Sequence, residues 1–169
     1  MVLQLEGPLS DRSAWQAESC SVGKAMDVIG SRSAMLLLRE AFYGTTRFDD
    51  FAARVGITDA VAAARLKQLV SAGIFEKRPY REAGSRTRSE YVLTGMGRDL
   101  FPAVLALMQW GDKYLQPGGE GPLDVVDRSS GNPVRLEPRD SAGAPVPLEE
   151  LAVRVNRDRS ADSRQRPGK

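Results

Sequence analysis

The chain has 169 residues, with 24 Lys plus Arg against 22 Asp plus Glu, no histidine and a single cysteine. Without histidine there is no Ser-His or Cys-His catalytic pair, no imidazole metal ligand and no histidine proton switch. Cys20 alone supports neither a Cys/His zinc site, which needs about four ligands, nor an internal disulfide. The net charge of +2 is close to neutral, so any electrostatic argument rests on where the basic residues cluster.

The length suits one globular domain of roughly 100–150 residues with an appendage. No apolar stretch approaches the ~20 residues of a membrane helix, and a lone thiol fits a reducing compartment. The expectation is a soluble, cytoplasmic protein with no membrane partner. Residues 1–17 mix Gly, Pro, Ser and acids without a period and read as a flexible arm. Next, Val22, Ala25, Met26 and Ile29 recur at i, i+3, i+4, i+7, the spacing of a buried helix face, closed by Gly30. Ser31 is placed to cap a second helix, apolar nearly all round and therefore central to the core.

Phe48, Phe51, Ala52 and Val55 mark a third, amphipathic helix. Gly56-Ile57-Thr58 then makes a tight turn, with Thr58 as cap for a fourth helix over 59–72 that buries Ala62, Leu66, Leu69 and Val70 and ends at Gly73. Helix, short Gly-containing turn and helix make a helix-turn-helix unit. Two strands, 74–78 and 90–93, follow as a hairpin around a polar loop. Thr94 caps a last helix ending near Leu115. Its stripe of Leu100, Val104, Leu107, Gly111 and Tyr114, with Phe101, Leu105 and Met108 beside it, is wider than packing in one small domain requires, and points to a subunit interface. The fold class is mainly α (α+β), a helix-turn-helix with a two-stranded wing.

From residue 117 the composition turns to Gly, Pro, Ser and charge, with short β-like stretches; residues 117–155 read as a small β or irregular extension. Ser130-Gly131-Asn132-Pro133-Val134 and Ala142-Gly143-Ala144-Pro145-Val146 resemble each other at an offset of 12. The final residues hold six basic and two acidic side chains from Arg154 to Lys169, and 156–169 read as a disordered basic tail.

An α-helix fits the DNA major groove and reads base edges with its N-terminal half. With Leu66 and Leu69 facing inward, the 100° step per residue turns Ala60, Val61, Ala64, Arg65, Lys67 and Gln68 outward or to the flanks. Val61 and Ala64 suit thymine methyls, Arg65 guanine or phosphate, Gln68 adenine or phosphate, and Thr58 a phosphate. The hairpin loop brings Arg81, Arg86 and Arg88, with Thr87 among them, toward phosphates or the minor groove. Between Arg65 and Glu90 seven basic residues face three acidic ones, a concentration the whole-chain balance hides. Asp49-Asp50 and Glu149-Glu150 are acidic pairs with no base, metal ligand or phosphate loop beside them, so no enzyme, cofactor or metal is expected.

The ordered run Cys20-Ser21-Val22, Arg47-Phe48, Gly56-Ile57-Thr58, Arg65-Leu66, Ala72-Gly73-Ile74, Arg78-Pro79-Tyr80-Arg81-Glu82, Arg86-Thr87-Arg88, Glu90-Tyr91-Val92-Leu93-Thr94 and Trp110-Gly111 resembles the HxlR-type winged helix-turn-helix regulators over residues 18–115. Residues 18–116 would be the DNA-binding and dimerisation domain. The resemblance implies a homodimer joined through the first and last helices, Val22 and Met108 included, binding a pseudo-palindromic operator on double-stranded DNA. A departure is Arg32-Ser33, where the family usually has Lys-Trp. Cys20 stands at the family's N-terminal cysteine, which in some members senses oxidants or electrophiles; a small buried side chain at the interface is the plainer reading. A small hydrophobic effector among Met26, Met35, Met108, Trp110 and Tyr114 is the rival signal. The C-terminal tract resembles a family extension whose Cys knuckles bind zinc, but Ser129-Ser130-Gly131 and Ser141-Ala142-Gly143 replace them. A repressor is expected, since steric blocking needs no further contact surface; the alternative is a winged-helix interaction module or antirepressor without specific DNA binding.

Overall fold

The computed structural model describes residues 3–11, 20–81 and 87–156. In chain order it comprises β1 (Gln4–Leu5), α1 (Ser21–Ile29), α2 (Arg32–Phe42), α3 (Phe48–Val55), α4 (Asp59–Ser71), β2 (Phe75–Tyr80), β3 (Arg88–Leu93), α5 (Gly95–Arg98), α6 (Phe101–Leu115) and β4 (Ala152–Val153). These fall into two compact units, Ser21–Leu136 and a second formed from the two ends of the chain, up to Cys20 and from Glu137 onward.

In the larger unit the core is built by α2, α3, α4 and the hairpin. Leu37, Leu38, Phe51, Leu66, Leu69, Ile74 and Phe75 are fully buried. Phe51 meets both Phe75 and Tyr91 edge-on, with ring centroids 5.9 and 6.4 Å apart, so α3 is packed directly against the wing strands. Local chemistry sets the boundaries. Ser31 Oγ accepts the Ala34 N–H and Thr58 Oγ1 the Val61 N–H, the N-caps expected of these residues. Gly56 (φ +68°) and Gly73 (φ +77°) take the left-handed conformation that ends α3 and α4. At the end of α4 the Gly73 N–H donates to Val70 O and the Ile74 N–H to Leu69 O, both partners of the apolar pair Leu69 and Ile74 being buried. These two hydrogen bonds and the apolar contact turn the chain sharply out of α4 into β2.

The strands are antiparallel, pairing Phe75 with Leu93 and Tyr80 with Arg88, and are longer than the sequence pattern suggests. Two other expectations change. The helix foreseen from Thr94 to Leu115 is broken at Asp99 and Leu100: α5 ends there, and α6 restarts with Pro102 in its first turn, where a missing N–H costs nothing. In α1 only Val28 and Ile29 are covered, so the supposed buried face of Val22, Ala25 and Met26 is open, with Val22 70% exposed.

Beyond α6 the tract to Leu136 stays attached to that helix. The Gln109 side-chain amide donates to Val134 O (2.8 Å) and accepts the Leu136 N–H (3.2 Å), pairing with the passing backbone as a neighbouring strand would. Both halves of the 12-residue repeat form the same device. Asp127 Oδ1 accepts the Ser129 and Ser130 N–H groups, Gly131 has φ +72°, and Val126 bridges Pro133. Asp140 Oδ1 accepts the Ala142 and Ala144 N–H groups, Gly143 has φ +86°, and Arg139 bridges Pro145. A carboxylate gathering backbone donators holds each turn. In the smaller unit β1 lies parallel to β4, Gln4 opposite Ala152, with Leu9 buried nearby. Thus residues 4 and 5 of the expected arm are in a strand. Residues 12–19, 82–86 and 157–169, which include Arg86 and nearly all of the basic tail, lie outside the described residues.

Candidate nucleic-acid interface

Along α4, Ala62, Leu66 and Leu69 are buried, which leaves Ala60, Val61, Ala64 and Lys67 exposed on the opposite face. Three small or short apolar side chains there allow a surface to approach the helix backbone closely. Val61, 42% exposed, gains nothing from its own fold by standing in water. Thr58 is exposed at the helix start beside the unsatisfied first-turn N–H groups, where an anion is favoured. Arg65 and Gln68 are half-buried on the flank, and Arg65 Nη1 donates to Gln68 Oε1 at 2.7 Å.

The wing offers exposed Lys77, Arg78, Arg81, Thr87 and Arg88. Some of these cations are held by their own fold. Arg78 donates twice to Glu76 Oε1, at 2.8 and 2.5 Å, and Arg88 Nη1 lies 3.8 Å from Asp49 Oδ2 at the start of α3. Such exposed pairs are worth about 0–1 kcal/mol, so they hold these cations only weakly. Lys77 sits over the Tyr91 ring at 5.4 Å and Arg47 over the Tyr80 ring at 4.8 Å. The Tyr91 N–H donates to Thr46 O at 2.7 Å and Arg47 bridges Glu90, so the segment before α3 adds to the free edge of β3. The wing is thereby fixed to α3, and through the α3–α4 turn to the exposed helix face. A cleft of about 650 Å³ lies between these parts, lined by Arg47, Phe48, Asp49, Tyr80, Arg88 and Tyr91. Sequence reasoning missed the roles of Arg47 and Asp49, although Arg47-Phe48 stood in the recognised run.

The residues foreseen for a subunit interface divide. Val22, Leu107 and Tyr114 are exposed, whereas Leu100 and Val104 pack against the chain's own core and Met108 is half-buried, its Sδ accepting from Tyr43 Oη at 3.8 Å. The cause is α2: Phe42 meets Phe101 edge-on at 5.1 Å, so the first half of α6 is covered while the second half runs past its support. There Leu107, Trp110 and Tyr114, at i, i+3, i+7, form an open apolar stripe, and Gly111 is half-buried beside it. Of the suggested effector-binding residues, Met26, Trp110 and Tyr114 are exposed and Met35 and Met108 half-buried; they line neither the cleft above nor a polar one of about 160 Å³ at Tyr43, Thr45 and Arg54. Cys20 is half-buried directly before α1. No helix among the described residues is long and apolar enough to cross a membrane, and no three of their Asp, Glu or Cys side chains gather as metal ligands.

A helix-turn-helix with its second helix exposed and a basic hairpin fixed beside it defines a winged helix-turn-helix protein. The chain belongs to the HxlR-like helix-turn-helix family, whose model matches residues 28–118. It is 48% identical over 105 residues to the uncharacterized HTH-type transcriptional regulator Rv3095 of Mycobacterium tuberculosis, covering 62% of this chain. The match spans 65% of the length of that relative. The crystal structure of PA1607 is 42% identical, with a TM-score of 0.72 over 83% of this chain and 96% of its own. That share exceeds the family match, so the likeness reaches past α6. The redox regulator HypR in its oxidized form is 32% identical, with a TM-score of 0.50 over 55% of this chain and 95% of its own.

Proposed function

We propose that this protein is a sequence-specific DNA-binding repressor that acts as a homodimer on a pseudo-palindromic operator. The observation that carries the reading is the exposed face of α4, where Thr58, Ala60, Val61 and Ala64 leave room for a major-groove edge and Arg65, Lys67 and Gln68 flank it. Arg81, Thr87 and Arg88 of the wing, with Arg86 outside the described residues, meet the neighbouring phosphates or minor groove. Repression follows by blocking access to the site.

The dimer is supported by α1 and the second half of α6. Val22, Met26, Leu107, Trp110 and Tyr114 are all more than half exposed, and each large apolar side chain gains about 1.5–3 kcal/mol when covered. In this reading Cys20, next to α1, is where a redox or electrophilic signal acts. With one cysteine per chain, a disulfide formed by an oxidant joins Cys20 to its mate in the dimer or to a small thiol.

The test is binding of the purified full-length chain to fragmented genomic DNA at two salt concentrations, with sequencing of what is retained. Specific fragments and a steep loss of affinity with salt are expected, because neutralised phosphates release counterions. Retention of no fragment, or of all equally, would leave an interaction module instead. Arg88→Ala should weaken binding to every sequence, whereas Val61→Ala should change which sequences are preferred. Leu107→Glu should give monomers by light scattering. Cys20→Ser should keep its DNA affinity under oxidant while wild type loses it; identical behaviour removes Cys20 from the mechanism.

A further inference from the structure

Arg65 is held by a side chain that cannot neutralise it. Its Nη1 donates to Gln68 Oε1 at 2.7 Å across one turn of α4, and both side chains are half-buried. A guanidinium only donates, so the amide oxygen is the atom that faces it. Among the described residues, Arg39, Arg78, Arg88 and Arg139 instead meet the carboxylates of Glu40, Glu76, Asp49 and Glu137. An amide partner differs in kind: it fixes direction and leaves the full positive charge available.

We infer that Gln68 is the positioning residue for Arg65 in base readout, and that Arg65 reads a guanine. This rests on the proposed DNA-binding role of α4. The contact uses Nη1, which leaves the edge formed by Nε and Nη2, two donors side by side in the spacing that matches guanine O6 and N7. A long Arg side chain loses much rotamer freedom on meeting a base, and one already tethered loses less. Gln68 itself is drawn away from adenine. The paired contact to adenine needs Oε1 and Nε2 aimed together at the base, whereas the bond to Arg65 already fixes the direction of Oε1.

The full-length protein is bound to a randomised duplex library and the retained sequences are read for wild type, Arg65→Ala, Gln68→Ala, Gln68→Glu and the double alanine variant. Wild type is expected to select guanine at one position in each half-site, and Arg65→Ala to lose that selection. Gln68→Ala should reduce the same selection by about fivefold without creating a new one, and the double variant should match Arg65→Ala, since coupled residues are not additive. Gln68→Glu, which keeps the oxygen but adds charge, should retain the guanine selection while binding all sequences more weakly. Loss of an adenine preference at a different position in Gln68→Ala, with guanine selection intact, would overturn the assignment and make Gln68 a reader itself. Independent effects of the two substitutions would overturn it too. Failure of wild type to select any sequence would instead remove the DNA-binding reading on which it stands.

Discussion

A Cβ added to Gly97 would lie 2.3 Å from the Ile74 carbonyl oxygen and 2.9 Å from Leu93 Cδ2. The helical backbone of α5 therefore rests directly on the start of β2, and only glycine fits. Thr94 completes the contact: its hydroxyl donates to Gly73 O at 2.6 Å and its oxygen accepts the Gly97 N–H at 3.1 Å. Gly97→Ala should cost about 3 kcal/mol, because a buried backbone must shift to admit one methyl group; denaturant titration followed by circular dichroism measures it. Asp127 supplies a prediction for pH. Hydrogen bonds from the Ser129 hydroxyl, the Ser129 N–H and the Ser130 N–H hold its carboxyl below the usual carboxylate range. A depressed folded pKa means the turn is fully supported above the ordinary value of about 3.9 and loosens as pH falls through the lower folded value. Protection of the Ser129 and Ser130 amides, taken relative to the intrinsic exchange rate at each pH, should thus be unchanged from pH 7 to about 5 and fall only below about 4; Asp127→Ala should show the low protection at every pH.

Elements were legible where one residue and its near neighbours decide them. Ser31, Thr58 and Thr94 cap, Gly56 and Gly73 stop, and these give α2, α3 and α4 and the turn that makes the candidate site readable from spacing alone. Periodicity also located α1 and α6, but it reports that a face is apolar and not what covers it. Hence Val22 and Met26 are open, while Leu100 and Val104 of the α6 stripe are covered by the chain itself and Leu107 and Tyr114 are not. Pairings between distant side chains leave no local signal. Arg47 over Tyr80 and Gln109 against Val134 and Leu136 belong to that class. Arg65 and Gln68 are three residues apart, but the spacing that turns both toward DNA does not reveal that they bond to each other. The Gln109 clamp predicts that Gln109→Leu, which keeps the volume and removes both bonds, will release residues 120–136 to limited proteolysis while α2 to α4 stay protected. It should cost about 1–3 kcal/mol for two hydrogen bonds.

At the scale of the whole molecule the proposed dimer ties two readings together. The stripe of Leu107, Trp110 and Tyr114 and the exposed face of α4 belong to one compact unit, so two copies joined by the first present the second as a pair related by a two-fold axis. Half-sites one helical turn apart, ~34 Å, or a multiple of it, are expected. The Thr94 hydroxyl links the end of α4 to the lead into α5 and α6 through Gly73 and Ile74, and with the Gly97 contact on Ile74 and the packing of α6 on α2 it joins the exposed helix to α6. That joint acts as a ruler. Adding about five base pairs between half-sites turns the second one to the far side of the duplex, where a stiff joint cannot follow, and about ten returns it to phase. A Thr94→Val protein, with the hydroxyl gone and the shape kept, should tolerate operators of the wrong length that wild type rejects.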